Sequence, residues 1–321
     1  MDALSDVLRA VRLSGAFFFD VQAHTPWVAE TPHGKTVVGA MFPGSDHLIS
    51  YHLIMSGGCW LEMEDEQPLK LSAGDIIVLP HGHTHVLTTE LGQRKTPEMA
   101  MYRMPDDGQL PVAISMGNAG GEVAHFVCGF LGCDSRPYNP LLTALPRFIH
   151  IKDHASGALG AYFRAALAES KGRMGGASML GRISELMFVD VIRRHLESLP
   201  EGRTNWLAGL RDPYVGRALT ALHADPARDW TLEALAAEAA LSRSAFAERF
   251  NQFVGHPPMQ YLANWRMQLA TSYLRNGSES IASVANRVGY DSEAAFSRAF
   301  KKAVGTPPSE WRTSHVAGDA A

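Results

Sequence analysis

The sequence predicts a two-domain α+β protein, and three observations carry that reading. A Gly-, Pro- and His-rich first part holds short β-branched runs. The chain turns helical after about His154. Its last hundred residues contain an internal repeat. A length of 321 residues fits two domains, with three as the upper expectation. The expected division is 1–150 for a β-rich domain, 151–205 for a helical linker, 206–315 for an all-α domain and 316–321 for a flexible tail.

In the first part, residues 35–42, 47–55, 59–63, 76–79 and 123–131 read as strands. Pro43-Gly44, Gly57-Gly58, Ala73-Gly74 and the stretch from Pro80 to Gly82 supply turns. Many short strands with close turns suggest a β-barrel or jelly roll. Residues 105–121 read as a long polar loop over one end of it. In the linker, Leu180, Ile183, Met187 and Val191 recur at steps of three and four and share one helix face. That stripe either packs on the barrel or joins two protomers. Pro200 and Gly202 stop the helix.

The repeat is the strongest signal. The run from Ser242 through Phe246 to Phe250 returns as Ser292, Phe296 and Phe300, an offset of 50 residues. Each copy continues to a glycine (Gly255, Gly305), a Pro-Pro pair (Pro257-Pro258, Pro307-Pro308) and an aromatic residue (Tyr261, Trp311). Upstream the offset slips by one. Leu232, Leu235, Ala236 and Ala239 make a short amphipathic helix in the first copy, and Ile281, Val284, Ala285 and Val288 make its counterpart. Ser242 and Ser292 sit where N-caps belong. The two phenylalanines of each copy lie at i and i+4 and face inward. Two helices joined by a short turn form a helix-turn-helix, whose second helix is free to enter a major groove.

The string running from Ala285 through Val288-Gly289-Tyr290, Ser292, Phe296-Ser297-Arg298, Phe300-Lys301 and Gly305 to Pro308 resembles the DNA-binding domain of the AraC/XylS family of bacterial transcription regulators. The resemblance covers about 210–313. It implies a rigid helix between the motifs, which residues 258–274 fit. It also implies DNA contacts from Arg243, Ser244, Ala247 and Glu248 in the first motif. In the second they come from Glu293, Ala294, Ser297, Arg298 and Lys301. Arg298 suits a guanine edge or a phosphate, with the base contact favoured, whereas Lys301 and Lys302 suit phosphate. Glu248 and Glu293 accept from a cytosine amino group or orient an arginine; Glu248 can equally pair with Arg243 or Arg249. Promoter DNA, RNA polymerase and a second copy of the chain are the partners the family implies.

Gly74, Pro80, Gly82 and His85 have the spacing of the second cupin motif. AraC-type regulators commonly carry a cupin-like effector domain, and the first 190 residues resemble the reactive-chlorine-sensing subgroup. The earlier metal motif of catalytic cupins, H-x-H-x(3,4)-E, is reduced here to His52, with its second histidine and its glutamate missing. Oxygenase chemistry therefore lacks its ligand set, and a non-enzyme is expected over a metal-dependent cupin enzyme fused to a DNA-binding module. His52, His85, His125 and Cys128 are candidate ligands of a zinc ion, provided a bulge brings His125 and Cys128 to one face. His83 is the alternative third ligand, and His81 is expected in solvent at the turn. Alternatively the histidines line a pocket for an organic effector. Cys59, Cys128 and Cys133 leave a redox reading open beside the commoner one of apolar filler.

Composition sets the frame. Hydrophobic residues make up 46% and charged ones 19%, enough for a sizeable core. The net charge of −4 excludes an unspecific polycation, so DNA binding must be local. No apolar run reaches the ~18 residues of a membrane span. The start, with Asp2 and Asp6, does not read as a secretory signal, so a cytoplasmic protein is expected.

Overall fold

The computed structural model describes residues 2–11, 13–105, 108–118, 120–152, 158–170 and 174–316. Its contacts divide the chain into two compact units, and these do not follow the boundaries expected at 150 and 205. One unit comprises 13–133 and 145–197. The other comprises 1–12, 134–144 and 198–321.

The first unit is built on two sheets. β1 (Ser14–His24), β3 (His47–Ser56), β6 (Asp75–Leu79), β8 (Val112–Gly117), β9 (Val123–Cys133) and β10 (Ile149–Lys152) form a six-stranded sheet in the order β10-β6-β3-β9-β1-β8. β2 (Val28–Thr31), β4 (Gly58–Glu62), β5 (Leu69–Ser72) and β7 (His85–Thr88) form a four-stranded sheet in the order β2-β7-β4-β5. The two sheets are not closed into a single barrel. β9 is the central strand: it pairs antiparallel with β1 on one side and β3 on the other. Its interior is therefore continuously apolar, as a strand with two hydrogen-bonded neighbours and two covered faces requires.

Two expectations fail here. The run at 35–42 is not a strand but α2 (Gly34–Met41). His33 caps it, its ring accepting from the Lys35 N–H at 3.1 Å, and Val37, Val38 and Met41 bury one helical face. β-branched composition suggested a strand, but the cap and the helical period decide. The expected loop at 105–121 contains β8, which pairs parallel with β1. Its larger apolar residues (Val112, Ile114, Met116) alternate with small ones (Ala113, Ser115, Gly117), a pattern obscured by the flanking Gly and Pro.

The helices of this unit beyond α2 are α4 (Ala158–Ser170) and α5 (Gly176–Glu197). Leu180, Met187 and Val191 of the expected stripe are buried within the unit, so that stripe packs intramolecularly. Met179 and Leu186, on another face of α5, are 44% and 53% exposed.

The second unit contains α1 (Ala3–Ala10), α3 (Pro140–Ala144), α6 (Trp206–Arg211) and α7 (Val215–Ala224). It continues with α8 (Leu232–Glu238), α9 (Arg243–Val254), α10 (Pro258–Asn276), α11 (Ile281–Arg287), α12 (Glu293–Val304) and α13 (Pro308–Val316). After Val316 the expected tail lies outside the described residues. α8-α9 and α11-α12 are the two helix-turn-helix motifs, and α10 is the expected connecting helix. Ser242 and Ser292 cap α9 and α12 through the N–H groups of Ala245 and Ala295. Gly255 and Gly305 close the same helices in the left-handed region. Phe296, Phe300, Val284 and Val288 pack with Leu274 and Trp311 in the core of the second motif.

The turns explain the one-residue slip. In both copies the chain leaves the first helix through a left-handed residue, Ala240 (φ 53°) or Gly289 (φ 81°). The next N–H, of Leu241 or Tyr290, returns to the carbonyl of Ala236 or Ala285. The first copy then enters its cap at once, whereas the second inserts Asp291. Ala240 carries a Cβ where Gly289 has none, and an L-residue in this region costs about 1–2 kcal/mol. Ala240→Gly is expected to stabilise the helical unit by about 1 kcal/mol. Gly289→Ala is expected to destabilise it, because a Cβ there would stand 2.5 Å from the Ala227 carbonyl oxygen. Urea unfolding followed by tryptophan fluorescence checks both, since Trp206, Trp230, Trp265 and Trp311 lie in this unit.

Candidate DNA interface and sensor pocket

The outer faces of α9 and α12 carry the sequence-predicted contacts. Arg243, Ser244 and Glu248 are exposed and Ala247 is half-buried; Glu293, Ala294, Arg298 and Lys301 are exposed and Ser297 is half-buried. Phe246, Phe250, Phe296 and Phe300, on the opposite faces, are fully buried. Each helix is thus anchored by its aromatic pair and presents a small, polar surface. Arg243 reaches Glu233 at 2.8 Å, and Arg249 grips Asp212 through two nitrogens. Neither pairs with Glu248, so that alternative is not realised. Arg298 and Lys301 make no ion pair among the described residues, leaving both guanidinium and ammonium available to an external acceptor.

Sequence reasoning missed Arg266. It projects from α10 and donates to the carbonyls of Pro226 (2.8 Å) and Arg228 (2.9 Å) before the first motif. It also donates to Gly289 (3.1 Å) in the turn of the second. No spacing rule marks an arginine for this. Only the three-dimensional convergence of the two turns does.

In the first unit, alternation along β9 sorts the candidate ligands. Cys128 stands opposite Phe19 on β1 and opposite His52 on β3. His52 Nδ1 lies 2.9 Å from Cys128 Sγ. His52 Nε2 lies 2.6 Å from His85 Nε2, and His85 Nδ1 lies 2.8 Å from the His83 carbonyl oxygen. These contacts fix the protons. A carbonyl can only accept, so His85 Nδ1 donates and its Nε2 is a lone pair. His52 Nε2 must then donate to it, and His52 Nδ1 must accept the S–H of Cys128. Burial favours the same neutral forms: it pushes His85 down to about 4, drives His52 well below the usual imidazole range and pushes the Cys128 thiol up.

His125 does not join them. Three residues from Cys128 on a strand that runs regularly beside β1, it points to the other face and bonds Asp20 at 2.6 Å. The irregularity opposite it lies in β3, between Ile54 and Ser56, and does not turn the His125 ring. The two nitrogens of His52 also serve different partners. Among the described residues no group of three or more His, Cys, Asp or Glu side chains is arranged to hold a metal ion. The residues present do not fit the four-ligand zinc site. His83 contributes its carbonyl to the chain, while its ring lies near those of His33 and His81. His81 is half-buried rather than in solvent and donates to the Leu145 carbonyl at 3.1 Å. All three cysteines are buried, and none of them forms a disulfide.

Cys128 also borders a hollow walled by Phe19, Tyr102, Ile114, Phe126 and Phe130, with Glu30, Thr31 and Lys95 supplying polar groups. It encloses about 610 Å³ of empty space, part of it open to solvent. The wall follows from register: Phe126, Cys128 and Phe130 alternate onto one face of β9, beside Phe19.

Known proteins place this architecture. A cupin family model matches residues 2–197, and a helix-turn-helix domain model matches 235–314. A putative AraC-like transcription regulator of Streptomyces lividans is 33% identical over 97% of this chain and 98% of its own. The chain belongs to the AraC-type transcription regulators. The helix-turn-helix regulator AlkR of Acinetobacter baylyi is 30% identical over 97% of this chain and 99% of its own. RclR of Escherichia coli K12, an RCS-specific helix-turn-helix activator, is 26% identical over 97% of each. No helix among the described residues is long and apolar enough to cross a membrane.

The depressed histidines make stability depend on pH. His52 and His85 are neutral in the fold but take up protons in the unfolded chain below about pH 6.5. The unfolded state then binds more protons, so stability falls as pH drops from 6.5 towards the folded value near 4. His223, buried and pushed down to about 3, acts in the same direction in the helical unit. Urea midpoints measured between pH 7.5 and 4.5 are expected to fall monotonically, with a shallower fall in His85→Gln.

Proposed function

We propose that this regulator reads promoter DNA with α9 and α12 in major grooves, under the control of a small organic effector held in the hollow beside Cys128. The observation that carries the DNA reading is the repeat itself: two capped helices, each anchored by buried aromatics and each showing an exposed outer face. Arg298 donates to a guanine edge. Lys301 and Lys302 hold phosphate, and Ala247 and Ala294 leave room for thymine methyl groups. Glu293 also suits the positive N-terminal end of α12.

The effector reading rests on the aromatic hollow and its few polar groups. The buried Cys128 thiol, pushed up by burial and held against His52, makes direct oxidation, the signal suggested by the RCS-specific relative, the weaker alternative. Effector binding shifts the population of DNA-competent arrangements, as any ligand with differential affinity must. A second copy of the chain docks on the α5 face that exposes Met179 and Leu186. Contact with RNA polymerase and a cytoplasmic location follow from the family. The reduced cupin metal motif supports a sensor over an enzyme.

Arg298→Ala is expected to weaken specific binding by about 1–3 kcal/mol and relax preference at one base pair. Lys301→Ala is expected to weaken all sequences alike and reduce the salt slope by about one. Titrations of a selected site and a scrambled duplex, at several salt concentrations, separate the two. Unchanged specific affinity in Arg298→Ala would mean that α12 does not read bases.

A further inference from the structure

We infer that Cys128 captures its effector covalently, and that the effector is an apolar carbon electrophile of the α,β-unsaturated carbonyl class. The inference rests on the hollow being the effector site and adds the chemistry that occupies it.

The reasoning starts from the position of the sulfur. Cys128 is the one cysteine that lines the hollow, and its Sγ meets a fully buried imidazole at 2.9 Å. The hydrogen-bond chain leaves one place for the thiol proton to go. His52 Nδ1 is a lone pair, and His52 Nε2–H is already committed to His85, whose far nitrogen is anchored on a backbone carbonyl. An imidazolium formed at His52 is therefore held by an acceptor at 2.6 Å. This is the arrangement of a nucleophile, a base and an orienting third group. A structural filler needs none of it.

The resting pair is neutral, so the sulfur is quiet until a substrate is bound beside it. That favours a ligand seated first by the aromatic walls over a small oxidant that reacts with thiolate on encounter. Phe19, Phe126, Phe130 and Tyr102 suit a flat, apolar body. In the step, sulfur forms a bond to the β-carbon of the enone and the C=C π pair moves onto the carbonyl to give an enolate. The S–H proton passes to His52 Nδ1 and from there to the α-carbon. No oxidant or reductant is consumed, and the adduct contains every atom of both reactants.

The test uses the full chain with benzylideneacetone as electrophile and its saturated analogue, 4-phenyl-2-butanone, as the unreactive match. The expected result has three parts. The saturated analogue raises the melting temperature of the first unit. Benzylideneacetone adds one equivalent by intact mass. Peptide mapping then places it on Cys128, with Cys59 and Cys133 unlabelled. Cys128→Ser abolishes the adduct yet still binds the saturated analogue, and His52→Gln slows labelling by about tenfold or more. If the saturated analogue binds but Cys128 is labelled no faster than Cys59 or Cys133, covalent capture is wrong and the pocket stands. If neither compound binds or labels, the pocket reading falls with it.

Discussion

Two helix-turn-helix motifs on one chain are useful only if their recognition helices keep a fixed relation, and the guanidinium of Arg266 is where that relation is fixed. Its donors reach carbonyls that precede the first motif and a carbonyl in the turn of the second. Each of those carbonyls would otherwise need a partner of its own. Arg266 sits on α10, whose Tyr261 packs on Phe250 of the first motif and whose Leu274 packs into the core of the second. Helix and guanidinium together make one rigid body of what the sequence presents as two copies. Gly289 is part of the same constraint, because a side chain there would collide with Arg266.

In the sensor unit the equivalent constraint is the register of β9. Hydrogen bonding to β1 and β3 on both sides leaves no freedom to slip, since a one-residue shift would exchange every side chain between faces. That register brings Cys128 to His52 and sets Phe126 and Phe130 beside it. It also sends His125 to Asp20. The same alternation that builds the hollow therefore dismantles the four-ligand zinc set. The proton positions that follow, from Cys128 through His52 and His85 to a backbone carbonyl, are dictated by the only group in the chain that cannot donate.

Local signals were legible in the sequence, and long-range ones were not. The repeat, its caps and its buried aromatics could be read because each is encoded within about fifteen residues of its own motif. The cupin turn from Gly74 to His85 could be read for the same reason. β8 was hidden because its partner β1 lies about ninety residues away and its flanks are rich in Gly and Pro. α2 was misread because Val37 and Val38 favour strands in isolation, whereas the His33 cap and burial against neighbouring elements favour a helix. The membership of 1–12 and 134–144 in the helical unit leaves no periodic trace at all. At the candidate sites, residue identity was recoverable but pairing was not: Arg243 with Glu233, His125 with Asp20 and Arg266 with the turns all depend on tertiary approach.

In the proposed reading both motifs engage DNA at once, as a single rigid reader. Methylation interference on a site selected from random duplexes by the full chain tests this most directly. The expected result is two clusters of major-groove guanines whose methylation blocks binding, on one face of the duplex and one helical turn (about 10 bp) apart. A single cluster, with the rest of the site indifferent to methylation, would contradict it.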